Sequence, residues 1–181
     1  MSTSFSLPTG QANRLLRIVV RFVLFLVLLN GLFYLEYKLS GKYLNDPYTH
    51  IVTLISGWIG KALLPFPVEI RGDFALGSGD AAVIIRNGCN GVEAVFLLLA
   101  GILAYPATLR QRLLAGVVYL PALFFLNVLR VLMLLYIFVF HPQYLDFFHF
   151  QVGQGILVVF VLVFWVHIVG WIDRTTISED R

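Results

Sequence analysis

Cysteine occurs once in this chain, and charged residues make up only 13% of it. The lone thiol, Cys89, excludes an intrachain disulfide framework, and one cysteine with four scattered histidines forms no recognisable metal-ligand set. Also missing are a phosphate-cradling glycine loop, a His-Glu-x-x-His helix and a Gly-x-Ser-x-Gly nucleophile elbow, which removes several familiar enzyme classes. There is no internal repeat and no low-complexity linker. No metal and no cofactor are expected. The shortage of charge excludes a soluble domain of ordinary composition, in which about a quarter of residues are charged.

Apolar residues fill the chain instead. Of 181 residues, 59% are hydrophobic, and the mean hydropathy is +0.86. This is the composition of an integral membrane protein. The net charge of +3 does not indicate a nucleic-acid partner, because the basic residues are scattered at the ends of apolar segments rather than gathered on one face. Measured against the ~20 apolar residues that cross a bilayer, spans are expected at about 15–35, 92–106, 113–140 and 152–171. The predicted fold class is an all-α polytopic membrane protein with about four transmembrane helices, in a single membrane domain over 1–181. The second span is short, and the third is longer than a bilayer requires, so it must tilt or protrude. The first span follows Arg14, Arg17 and Arg21 and lacks a small-residue cleavage site, so it reads as an uncleaved anchor. Arg14, Arg17, Arg110, Arg112 and Arg174 fall on one side of this arrangement, and short basic loops stay in the cytoplasm. Cys89 and the 141–151 loop therefore face outward, with Lys38 and Lys42 as the exceptions to the rule.

Residues 37–90 form an extracytoplasmic insert. Between 50 and 64, His50, Thr53, Gly57, Gly60 and Lys61 make one helical stripe with Ile51, Ile55, Trp58 and Ala62 largely opposite, which predicts an amphipathic helix on the outer membrane surface. A fifth span is the competing reading of this segment. After Pro65 and Pro67, the segments 68–76 and 81–85 flank Gly77-Ser78-Gly79-Asp80 and predict a small β-hairpin. The insert is too small to bury a core of its own and must lean on the membrane domain.

The candidate chemistry sits where this insert re-enters the apolar chain. Cys89 lies in Arg86-Asn87-Gly88-Cys89-Asn90-Gly91-Val92-Glu93, a polar turn leading into a helix that begins near Asn90 or Gly91. Unpaired N–H groups at that helix end are expected to favour a thiolate. Arg130, inside the third span, is costly to bury and so marks a functional or partnered site; Asn127 shares its helix face at i, i+3. Glu93, one turn into the second span, can meet Arg130 at similar depth. The loop 141–151 supplies His141 and His149, with His149 nearer the last span. A thiol, an imidazole and a guanidinium at one membrane face are the parts of a thiol acyl-transfer site. Each part also has a plainer role: a packed cysteine, a structural Glu93/Arg130 pair, an interfacial histidine. His167, inside the fourth span, reads as a helix-packing hydrogen-bonding residue. Tyr144, Phe147, Phe148 and Phe150 read as headgroup-region anchors.

Asn87-Gly88-Cys89-Asn90-Gly91-Val92 before one span, Asn127-Val128-Leu129-Arg130 within the next and His149 just ahead of Gly153 at the head of the last resemble the exosortase/archaeosortase family over residues 85–172. The chain is similar to the compact exosortase H type, whose sorting signal carries an Ile-Pro-Thr-Leu-like motif, and is shorter than many members. The resemblance implies a cysteine protease or transpeptidase of the bacterial inner membrane, multi-pass, with its active site facing the periplasm. It further implies partners that are secreted proteins bearing a C-terminal signal of motif, hydrophobic helix and basic tail, besides the membrane lipid. Cys89 would be the nucleophile, Arg130 the stabiliser of thiolate or transition state and His149 the general acid/base, with Glu93, Asn127 and Asn90 in support. A non-enzymatic membrane scaffold or secretion-assembly subunit is the alternative, and a small transporter a weaker one.

Overall fold

The computed structural model describes residues 9–179, with side chains from 10 to 176. The chain runs through α1 (Thr9–Leu39), α2 (Asn45–Leu63), β1 (Glu69–Arg71), β2 (Ala75–Ser78), β3 (Ala81–Ile84), α3 (Val92–Ala104), α4 (Leu109–Phe140) and α5 (Gln154–Glu179). Between α4 and α5 lie a 3-10 turn at Pro142–Tyr144 and a π-helical segment at Phe147–Gly153 that runs directly into α5. Three helical stretches are long and apolar enough to cross a membrane: Gly10–Leu39, Leu109–Phe140 and Phe147–Thr176. The protein is thus a multi-pass, mostly helical membrane protein. The expected short span is the apolar helix α3, whose 13 residues reach only about 20 Å of the ~30 Å hydrocarbon core.

One end of the bundle is tied by polar side chains. Thr108 and Gln111 close a reciprocal capping box at the start of α4. The Tyr105 hydroxyl donates to Asp173 Oδ1 at 2.7 Å and Gln111 Nε2 donates to Thr175 Oγ1 at 2.8 Å, fastening the α3–α4 connection to the end of α5. Above this end, Leu98, Ile102, Leu123, Leu157, Ile168 and Ile172 form the apolar core. Trp165 lies over Gly101, where a methyl group would collide with the indole, so small residues again set how closely helices approach. Tyr119 and His167 join α4 to α5 by a hydrogen bond, as expected of a polar residue inside a span.

α4 has 32 residues, about 48 Å, and its excess length carries a second core. Val52, Val68, Leu76, Ile85, Val131 and Leu135 seat α2 and the sheet against it. The expected hairpin is β2 and β3, with Ser78 paired to Ala81 across Gly79-Asp80, but the first predicted strand is split. Gly72, at φ +65°, turns the chain so that β1 pairs back antiparallel on β2 (Ile70 with Leu76), giving a three-stranded meander. α2 begins at Asn45, ahead of the expected start. Its polar and small stripe, Thr49, Thr53, Ser56, Gly57 and Gly60, is the buried face, whereas Trp58 is 73% exposed. A methyl at Gly57 would meet Ile70 at 2.4 Å, so the stripe is what permits the sheet to close on the helix.

Candidate active site

The turn before α3 is built by its backbone. The Arg86 carbonyl accepts from the N–H groups of both Cys89 (2.8 Å) and Asn90 (3.0 Å), and Gly88 and Gly91 take φ of +86° and +80°. At Gly91 a side chain is excluded twice over. The backbone is left-handed, and a Cβ would stand 2.4 Å from Asn127 Cγ.

Asn90 is fully buried and every polar group of its side chain is used. Its Nδ2 donates to Thr49 Oγ1 at 2.9 Å and, more weakly, to Asn45 Oδ1 at 3.5 Å; its Oδ1 accepts the Val92 N–H at 3.3 Å and so caps α3. Its carbonyl accepts from Asn127 Nδ2 at 2.7 Å. The cysteine turn is therefore held from α2 on one side and from α4 on the other. Asn90 and Asn127, expected in support, come together here. Asn45 and Thr49 were not legible, since their partner lies more than forty residues away.

Arg130 is 6% exposed and joins the two remaining elements. Its Nη1 donates to the Cys89 carbonyl and to Asn127 Oδ1, both at 3.5 Å, and its Nη2 donates to the His149 carbonyl at 3.4 Å. These are long bonds, so the guanidinium spans the site rather than gripping one partner. Its Nε is buried without a hydrogen-bond partner. Gly153 makes room for it: a Cβ there would lie 2.7 Å from Nε. His149 lies on the π-helical segment rather than in an open loop. Such wide turns recur at functional sites because they re-aim a residue without breaking the helix.

Cys89 and His149 line one cavity of about 530 Å³, together with Arg86, Asn87, Asp146 and Gln154. The expected thiolate is not favoured at rest. Burial pushes the Cys89 thiol up, the Arg130 cation opposes this, and the Glu93 carboxylate adds to it. The expected Glu93/Arg130 pair is not formed either. Among the described residues the ion pairs within 4.0 Å are His50–Asp73 and Glu69–Arg71. Arg130 points at backbone carbonyls, while Glu93 is exposed on α3. Among the described residues no cluster of three or more His, Cys, Asp or Glu side chains could hold a metal ion.

A membrane protein with a cysteine turn, an intramembrane arginine and a histidine gathered at one end of a helical bundle is the class that this fold and site define. The chain matches the transmembrane exosortase family over residues 7–166 and belongs to it. It is 24% identical to a probable archaeosortase E of Methanocaldococcus jannaschii over 172 residues, covering 95% of this chain and 87% of that protein. No solved structure matches it.

Proposed function

We propose that this protein is a membrane-embedded cysteine protease and transpeptidase that removes a C-terminal sorting signal from secreted proteins at the outer face of a bacterial inner membrane and transfers them to an acceptor. The observation that carries this reading is that one side chain, Arg130, donates to the backbone carbonyls of both Cys89 and His149, whose side chains line a common cavity. The Glu93/Arg130 ion pair, on which the scaffold reading depended, is not among the ion pairs that the described residues form.

The chemistry follows from the groups present. Burial pushes the thiol's pKa up, which favours a mechanism with a base, and His149 takes the proton as sulfur attacks the scissile carbonyl. Arg130 stabilises the negative charge that forms on sulfur and then on the carbonyl oxygen. The tetrahedral intermediate collapses by breaking the C–N bond, His149 returns the proton to the leaving amine, and a thioester on Cys89 remains. An acceptor amine, or water, then attacks the thioester and regenerates the thiol. Substrate and enzyme share the membrane plane, which raises the effective concentration of the motif at the thiol.

The test is co-expression with a secreted reporter carrying a tail of motif, apolar helix and basic end. Wild type should remove the tail, while Cys89→Ala and Arg130→Ala at matched abundance should leave it intact; the His149→Ala variant reads out the proton-transfer role. Normal processing by Cys89→Ala would overturn the thiol mechanism.

A further inference from the structure

We infer that the groove between α1, α3 and α5 is the docking site for the apolar helix of the substrate's tail, and that Glu93 receives the N-terminal end of that helix. This rests on the sorting-signal reading above.

The groove has a volume of about 680 Å³ and is lined by Leu26 and Asn30 of α1, Glu93 and Leu97 of α3, and Leu157 and Val158 of α5. α1 and α5 both pack on α3. With only 13 residues, α3 forms the floor of a trough whose two walls are much longer helices. The walls and floor are apolar, as a transmembrane helix requires, and the polar residues collect at one end. There the groove meets Gly88, beside the nucleophile, and Arg130. A helix lying in the trough with its N-terminus at this end therefore places the preceding peptide at the cysteine turn.

The Glu93 carboxylate favours this occupant and its direction, since the Arg130 guanidinium is turned to the carbonyls of Cys89 and His149. Glu93 is exposed in the first turn of α3 and has no ion-pair partner among the described residues within 4.0 Å. A carboxylate at membrane depth needs a partner. A transmembrane helix brings its own, because its first turn carries N–H groups without intrahelical acceptors and the positive end of the helix dipole. Glu93 thus satisfies groups that lipid cannot, at the point where an apolar helix begins.

A photoreactive residue placed at Leu97 or at Val158 in the Cys89→Ala protein, with the reporter co-expressed, should crosslink to the tail. The same residue at Val117, exposed on α4 outside the groove, should not. Glu93→Ala should lower the crosslink yield by about two- to fivefold, the range expected for a charge at a helix end. An acidic residue introduced into the first turn of the tail helix should weaken crosslinking, and Glu93→Lys should restore it. Leu97→Trp should abolish the crosslink from Val158, and the same substitution in the protein that keeps Cys89 should leave alkylation of that thiol by a small reagent intact, which shows that the fold survives. Crosslinks only to lipid or to a second copy of the chain, with the reporter still processed by wild type, overturn the docking site and leave the protease reading standing. Tail crosslinks without any processing by wild type uphold the docking site and remove the protease reading. If the tail is neither crosslinked nor processed, both fall.

Discussion

Thr49→Val isolates the hold that α2 has on the cysteine turn. The substitution keeps the shape and removes one oxygen, 2.9 Å from Asn90 Nδ2, leaving that buried amide with only the 3.5 Å contact to Asn45 Oδ1. Thr49 is 3% and Asn90 0% exposed, so water does not replace the lost acceptor. The penalty for a buried unsatisfied donor is about 1–3 kcal/mol, equivalent to a roughly 5- to 150-fold shift between held and released turn. Because Asn90 also caps α3 and accepts from Asn127, the loss should spread to Arg130 through its bond to Asn127 Oδ1. In detergent, thermal unfolding should move down, Cys89 should alkylate faster as the turn opens, and reporter processing should fall. Thr49→Ser restores the oxygen and should recover most of each readout. If Thr49→Val matched wild type in unfolding, alkylation and processing alike, the account of the turn as a clamped element would be wrong. A fall in unfolding temperature alone would confine Thr49 to stability.

Charge near the sulfur should be readable from the pH dependence of alkylation. Burial holds the Cys89 pKa up, Arg130 pulls it down and Glu93 pushes it up. Arg130→Gln should therefore move the rate profile to higher pH and Glu93→Gln to lower pH; shifts of the same sign would sink this assignment. Gly153→Ala should cut processing on the order of a hundredfold, since a small displacement of a catalytic group suffices for that, as its Cβ would stand 2.7 Å from Arg130 Nε. Gly155→Ala, with nothing within 4 Å, should be neutral in the same assay. Gly91→Ala should be worse tolerated than either, adding about 1–2 kcal/mol of left-handed backbone strain to its collision with Asn127. Tyr119→Phe should lower unfolding stability by about 0.6–2 kcal/mol, the range for hydrogen bonds between spans, and leave processing unchanged.

What sequence reasoning recovered of this site was local. The α3 start after Gly91, the shared face of Asn127 and Arg130, and the turn character of the cysteine segment all follow from spacings of a few residues. The placement of His149 near the head of the last span was legible; its π-helical backbone was not, because no residue type in that segment demands the extra residue per turn. The polar stripe of α2 was visible as a pattern, but a stripe does not say which side it faces. Beside a membrane, small and polar residues pack inward and apolar ones can stay outside, as Trp58 does. Gly72 was the sign that the first strand is broken, since only a glycine takes that φ without strain. The hold of Thr49 on Asn90 depends on tertiary placement alone.

The length of α4 would make the site sensitive to membrane thickness. From the cap at Thr108 to Arg130 the helix rises about 33 Å, close to the ~30 Å depth of hydrocarbon. With the other end fastened by Tyr105, Asp173, Gln111 and Thr175, a bilayer whose hydrocarbon began at Thr108 would end near the guanidinium, where a change of a few ångströms decides whether it meets headgroups or acyl chains. A thicker bilayer would draw the thiol and its approaching peptide into a drier medium and slow hydrolysis relative to transfer. A thinner one would wet them. On the proposed function, the lipid around the protein would then tune how a Cys89 thioester is resolved, without any ligand or change of fold.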